Sequence, residues 1–219
     1  MVFGMIIGAR LGDLLFYQDW ETLIHHPSTI LKFWEGGLAS HGAIGGILVG
    51  TYFFLKKIKK SFPFFTWISL LDLMVIPGCI AGVFIRIGNF MNQEILGTPG
   101  TVPWAVIFGH PADGSFPVPR HPVQLYEASF YLLLFGILWM VREKIPAMQK
   151  TGKTSGLFFI ALFTFRFFIE FFKSKQSALV SSGALLDMGQ FLSIPFILLG
   201  IWLFFKPKQV LNFQPVERN

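Results

Sequence analysis

Cysteine is almost missing from this chain. The one thiol, Cys79, excludes a disulfide framework and any CxxC or multi-cysteine metal centre within it. Charge is sparse as well: 14% of the 219 residues are Asp, Glu, Lys or Arg and 53% are hydrophobic, where a soluble domain carries about 25% charged residues. With a mean hydropathy of +0.59, the composition points to the bilayer as solvent. There is no Walker A lysine loop, no GxGxxG and no GxSxG elbow. The five histidines include no HxxxH or HExxH pair, so neither a metal site nor a cofactor is expected. Acidic residues are outnumbered, 12 against 18, for a net charge of +6. The 27 Phe nevertheless lie in apolar runs and are not interleaved with basic residues along a groove, which argues against nucleic acid as a partner. Residues 1–17 lack a basic n-region and a small-residue cleavage site and carry Arg10 and Asp13, so they read as a span and not as a signal peptide.

What is present is a series of apolar stretches, at 2–17, 38–55, 65–91, 125–141, 156–172 and 185–205. At ~20 residues per membrane helix they predict an all-α, polytopic helix bundle with about six transmembrane helices, forming one domain over residues 1–219. Pro77-Gly78 lies inside the third stretch, which is long enough to be bent there. Lys and Arg in short loops stay on the cytoplasmic side. Lys56, Lys57, Lys59 and Lys60, then Arg142, Lys144, Lys150 and Lys153, then Lys206, Lys208 and Arg218 account for eleven of the 18 basic residues. The alternate loops, 18–37, 92–124 and 173–184, hold only Lys32, Arg120, Lys173 and Lys175 beside Asp19, Glu21, Glu35, Glu94 and Asp113. Those loops are expected to face outward and the C-terminus to face the cytoplasm. Segment 92–124 is the longest loop and rich in Gly and Pro, a length at which an ordered loop is commonly functional. A weak echo links Arg10-Leu11-Gly12-Asp13 to Arg86-Ile87-Gly88-Asn89.

Topology does not account for Arg10, Arg86 and Arg166, which lie inside apolar runs. An arginine near the bilayer centre costs ~2.5 to 3.5 kcal/mol on insertion scales, which marks such a residue as a functional-site candidate. The bland alternative is internal ion pairing, with Asp13, Asp72, Glu94, Glu127, Glu170 and Asp187 as available partners, for instance Arg166 with Glu170 at i, i+4. The densest polar cluster is Arg86-Ile87-Gly88-Asn89-Phe90-Met91-Asn92-Gln93-Glu94, followed by Gly97, at the outer end of the third span. Its guanidinium suits a bidentate grip on a phosphate, at the depth of lipid head groups. Trp34 to Gly46 brings His41 to a membrane edge beside glycines that let backbones approach closely, and histidine can take a proton near neutral pH. Pro119-Arg120-His121-Pro122-Val123-Gln124-Leu125-Tyr126-Glu127 enters the fourth span with five polar side chains.

Taken together, these stretches resemble the prolipoprotein diacylglyceryl transferases, polytopic enzymes of the bacterial plasma membrane. The family signature reads GRxGNFxNxExxG. Residues 85–97 read IRIGNFMNQEILG, departing only at the first position. WEGGLASHG at 34–42, PRHPVQLYEA at 119–128 and DMGQFLSIP at 187–195 are similar to further family blocks, in the family's order.

The resemblance implies transfer of the diacylglyceryl group of phosphatidylglycerol to the lipobox cysteine of a prolipoprotein, presented with its signal peptide. Such an enzyme would be a multi-pass protein of the inner membrane, with loop 92–124 in the periplasm. It implies Arg86, His41 and Arg166 as catalytic residues. Arg86 and Arg166 would hold the phosphate and His41 would be the base for the thiol, whose free pKa is near ~8.5. Arg86, Asn89, Asn92, Glu94, Gly97, Gln124, Tyr126 and Glu170 are the expected phosphatidylglycerol contacts. The family has seven spans, and this chain opens where the second would, so the first span is expected to be lacking here. Ile85 replaces a glycine and Leu162 a tyrosine of the family pattern. A transporter or flippase for an anionic lipid is the competing reading, since intramembrane arginines also suit a permeation path; it would favour inverted repeats with broken helices.

Overall fold

A computed structural model describes residues 2–16, 40–63, 65–174 and 188–205. The expected loop charges Asp19, Glu21, Lys32, Glu35 and Lys175, the tail Lys206, Lys208 and Arg218, and Asp187 lie outside the described residues. Among the described residues six α-helices follow in order: α1 (Val2–Phe16), α2 (Ser40–Ile58), α3 (Trp67–Met91), α4 (Val123–Lys144), α5 (Lys153–Ile169, continued by a 3-10 turn Glu170–Phe172) and α6 (Met188–Phe205). Each coincides with one apolar stretch, because in hydrocarbon every backbone N–H and C=O must be satisfied within its own helix. Trp67–Met91, Val123–Lys144 and Lys153–Phe172 are long and apolar enough to cross a membrane, and Gly189–Phe205 is a shorter apolar helix. The long loop is not wholly irregular. Val106–Ile107 (β1) pairs antiparallel with Pro119–Arg120 (β2), a small β element within the expected all-α chain.

The chain divides into two compact units between Trp67 and Ile68. In the first, α1 crosses α2 through glycines. A Cβ added at Gly8 would lie 2.3 Å from the Gly42 carbonyl oxygen, and one at Gly46 would lie 1.8 Å from that of Gly4. Gly4 and Gly8, and Gly42 and Gly46, are each four residues apart, the spacing that lets membrane helices touch backbone to backbone. Arg10 pairs with Asp13 at 3.4 Å, both buried, which is the bland reading of that arginine. The echo with Arg86 does not extend to packing: Gly12 lies against Gly42, whereas a Cβ at Gly88 would meet nothing within 4 Å.

In the second unit, Val75, Ile76 and Cys79 of α3 pack on Leu134 and Leu138 of α4, flanked by Leu157, Ala161 and Leu162 of α5. Leu162 therefore fills apolar core where the family pattern has a tyrosine. Ile85 is 61% exposed, so its extra bulk faces away from the protein. Gly156 and Gly200 bring α5 and α6 into contact, with a Cβ at Gly156 only 2.7 Å from the Phe204 nitrogen.

Asp72 was an available partner for a buried arginine; the structure gives it another task. Its carboxylate, 1% exposed, accepts the backbone N–H groups of Gly152 and, at 2.8 Å, Ser155. These are orphan donors at the start of α5, where a negative charge also meets the positive end of the helix dipole. Hydrogen bonds to a charged group contribute roughly 1.5 to 3 kcal/mol, enough to fix the α5 entry against α3. Gly152 takes φ +82 at this junction, a conformation in which a Cβ is penalised.

Candidate active site

α3 ends at Met91, and the chain then reverses through two residues in the left-handed region, Gln93 and Ile95, both at φ 55. For a β-branched residue such as Ile95 this is strained backbone, of order 1 to 3 kcal/mol, which persists only where the surroundings enforce it. The enforcement is visible. The Glu94 backbone N–H donates to the Asn89 carbonyl at 2.8 Å, and the Gln93 carbonyl accepts from Ala112 N at 3.1 Å. The Gln93 side chain accepts the His110 N–H at 2.6 Å, and Gln124, fully buried, donates to the Glu94 carbonyl at 2.7 Å. The reversal returns Glu94 to the helix it has just left, where Asn89 Nδ2 donates to its Oε2 at 3.0 Å and Asn92 Nδ2 to its Oε1 at 3.4 Å. Arg86 Nη1 donates to Asn89 Oδ1 at 3.1 Å. A continuous chain runs from guanidinium to carboxamide to carboxylate.

Behind it sits a buried carboxylate. Glu127 of α4, 1% exposed, lies 2.9 Å from Lys173 Nζ and 3.1 Å from Arg86 Nε. The lysine contact is also a hydrogen bond. The arginine contact is an ion pair without an aligned hydrogen bond, so Arg86 Nε and Glu127 Oε2 are both left without a hydrogen-bond partner. Lys173 Nζ also lies 3.7 Å from Glu170 Oε2. A Cβ at Gly189 would fall 2.4 Å from the Glu170 carboxyl group, so that glycine makes the space the carboxylate occupies. Tyr131, one helical turn after Glu127 on α4, lies within electrostatic range of both Arg86 and Arg166. Arg166 itself makes no ion pair with Glu170 among the described residues; Glu170 turns to Lys173 instead.

Lys173 is held in place by its neighbours. Gly97 bridges to it in antiparallel fashion, Ser174 N donates to Leu96 O at 2.9 Å and Thr98 N to Phe172 O at 2.8 Å. Arg120, buried, donates to Gly97 O at 3.1 Å, Ser174 Oγ at 3.0 Å and Ser115 Oγ at 2.8 Å. Gly97 could not carry a side chain, since a Cβ would sit 2.1 Å from the His121 carbonyl oxygen. Asp113, on the exposed side of the loop, has its carboxyl held below the usual range. The Ser115 hydroxyl is the main cause, followed by the Ser115 N–H, with Arg120's charge contributing. Trp104 Nε1 donates to Tyr126 Oη at 2.6 Å, and that hydroxyl lies 3.3 Å from His121 Nδ1.

Of the residues named from sequence, Arg86, Asn89, Asn92 and Glu94 form one hydrogen-bonded cluster; Glu170 joins it through Lys173, and Arg166 lies within electrostatic range of Tyr131. Gln124 and Gly97 support this cluster from behind: one holds the Glu94 backbone, the other admits the His121 strand. Tyr126 meets Trp104 and His121 and makes no hydrogen bond to the Arg86 cluster among the described residues. His41 lies in α2, in the other unit, and its side chain is outside the described residues. Lys173 and Tyr131 were missed. A buried Glu127 facing two cations is the signal that points to Lys173, and it needs the fold to be seen.

A family model described as prolipoprotein diacylglyceryl transferase matches residues 1–206. A phosphatidylglycerol–prolipoprotein diacylglyceryl transferase of Protochlamydia amoebophila is 47% identical over 212 residues, covering 97% of this chain and 56% of the relative. Proteins of the same name from Tolumonas auensis and Chlamydia caviae are 43% and 42% identical over 200 residues, each covering 91% of this chain, and 73% and 67% of the relatives. The chain thus spans little more than half the length of the first of these relatives.

Proposed function

Because the chain belongs to the prolipoprotein diacylglyceryl transferase family, we propose that it transfers the diacylglyceryl group of phosphatidylglycerol to the lipobox cysteine of prolipoproteins. The observation that carries this is the Arg86–Asn89–Glu94 chain at the end of a membrane-spanning helix, backed by Glu127 and Lys173. The thiolate attacks the glycerol carbon that bears the phosphate ester. A C–S bond forms, the C–O bond breaks, and glycerol 1-phosphate leaves with the bonding pair. Charge develops on the phosphate as it leaves, and preorganised cations stabilise it most effectively in a site where they need not reorganise.

Arg86 and Arg166 are the phosphate-holding groups in this reading, with Asn89, Asn92 and Glu94 setting the orientation of the Arg86 guanidinium. Glu170 and Lys173 set the local charge balance, Gly97 and Gln124 brace the Glu94 turn from behind, and Tyr126 is the proposed head-group contact on the His121 side. His41 is the proposed acceptor of the thiol proton. The whole of residues 1–219 serves as one transferase domain.

The deciding experiment supplies detergent-solubilised protein with phosphatidylglycerol and a lipobox peptide. A peptide mass raised by one diacylglyceryl group, with stoichiometric glycerol 1-phosphate and no product from a Cys→Ser peptide, is the expected outcome. Lipid flux across liposomes without any transfer would instead favour the transporter reading.

The same reading places the protein in the bacterial inner membrane with loop 92–124 in the periplasm and the C-terminus in the cytoplasm. It is supported by the lysines at the end of α2 and just after it and the charges around 142–153, against the sparse basic residues of the opposite loops. Cysteines introduced at Lys59 and Ser115 should differ in intact cells: an impermeant thiol reagent labels only Ser115→Cys. Labelling confined to Lys59→Cys would invert the orientation and move the Arg86 cluster to the wrong face for a secreted substrate.

A further inference from the structure

The start of α3 and the end of α2 hold an arrangement that the transfer chemistry does not use. A cavity of about 420 Å³ lies there, between the last turns of α2 and Trp67, the first residue of α3. Leu55 and Phe65 line it and are buried, while Tyr52 and Trp67 line it and are about half exposed. Lys56, Lys59 and Thr66 complete the lining, which contains no carboxylate among the described residues. The helical hydrogen bond from Lys59 N to Leu55 O, 2.9 Å, carries the turn through Lys59. Tyr52 and Lys56, and Leu55 and Lys59, are therefore stacked at i, i+4 on one face. Lys57 and Lys60 belong to the same basic run but do not line the cavity.

We propose that this cavity seats the phosphate and glycerol backbone of an anionic phospholipid, at a position that shares no residue with the Arg86 cluster. Three features favour a lipid over a soluble anion. Trp67 opens a helix long and apolar enough to cross the membrane, so the cavity lies at head-group depth. Trp and Tyr are the side chains that settle at that interface, with an apolar body and a polar edge. Leu55 and Phe65 would gain from covering the first methylenes of an acyl chain, whereas inorganic phosphate would gain nothing from them. Ammonium groups supply charge without demanding a fixed phosphate geometry, which suits a bound lipid that is held and not transformed.

Trp67 provides a local probe. The full chain is placed in nanodiscs containing phosphatidylglycerol or phosphatidylcholine with brominated acyl chains. The component of tryptophan quenching that Trp67→Phe removes is then followed against the fraction of brominated lipid. Two lysines at about a fivefold effect each predict half-maximal quenching at a roughly twenty-fold lower fraction for phosphatidylglycerol than for phosphatidylcholine. Lys56→Gln with Lys59→Gln should bring the two lipids together, and Lys57→Gln with Lys60→Gln should leave most of the preference. Equal quenching of the unmodified chain by both lipids overturns the proposal, and this contrast decides even if the double variants fail to fold. An equal loss in the Lys57 and Lys60 pair would reduce the effect to diffuse charge and also overturn it. Full relief of phosphatidylglycerol quenching by inorganic phosphate would show a soluble-anion site and reject the lipid.

Discussion

Arg86→Lys is expected to lower the rate of diacylglyceryl transfer about 10²- to 10³-fold, the loss found when one transition-state hydrogen-bond donor is removed, while the protein still inserts and folds. The guanidinium has five donors in a planar fork. Asn89 takes one of them at 3.1 Å. The Nε edge faces Glu127 at 3.1 Å without an aligned hydrogen bond. Protein groups therefore orient the fork without exhausting it, and the remaining donors suit two oxygens of a phosphate. A lysine ammonium keeps the charge but cannot be oriented by Asn89 and offer two parallel hydrogen bonds at once. Transfer from phosphatidylglycerol to a lipobox peptide, with folding followed separately by elution and helicity, measures this. A lysine variant with near-normal kcat/KM would show that positive charge alone suffices and would remove the clamp from the mechanism.

The parts of this arrangement that could be read from sequence are the local ones. An apolar run long enough to cross a bilayer must become a helix, so all six helices were legible. The glycines beside His41 mark a helix face that backbones can approach closely, but that Gly4 and Gly8 of α1 are what approaches it is set by the fold. Helix starts were less legible. α5 begins at Lys153 and not at 156 because Asp72, 83 residues before Ser155, caps its polar first turn. The Arg86–Asn89 contact is an i, i+3 pair and follows from helical spacing. Lys173 reaching Glu127 spans 46 positions, and Arg120 reaching Ser174 spans 54; no periodicity encodes such pairs. The left-handed Ile95 gives no local signal either, since its side chain disfavours the conformation that the surrounding hydrogen bonds impose.

Glu127→Ala should destabilise the protein by roughly 3 to 5 kcal/mol, the usual cost of removing one partner from a buried charge pair. The carboxylate is 1% exposed and holds Lys173 at 2.9 Å and Arg86 at 3.1 Å. Without it two partly buried cations face one another across the space it leaves. Glu170, 3.7 Å from Lys173, recovers part of that loss by drawing the ammonium toward itself, which favours the lower end of the range. The repulsion also makes a prediction about coupling. Adding Lys173→Met to Glu127→Ala removes one of the two stranded charges, and residues in direct contact commonly couple by 0.5 to 3 kcal/mol. The double variant should therefore be more stable than the single one. Thermal unfolding in detergent, read for both single variants and the pair, tests this. A Glu127→Ala protein within 0.5 kcal/mol of the unmodified chain, or a pair whose effects simply add, would mean that water already screens these charges and that Lys173 does not hold Glu127 in place behind Arg86.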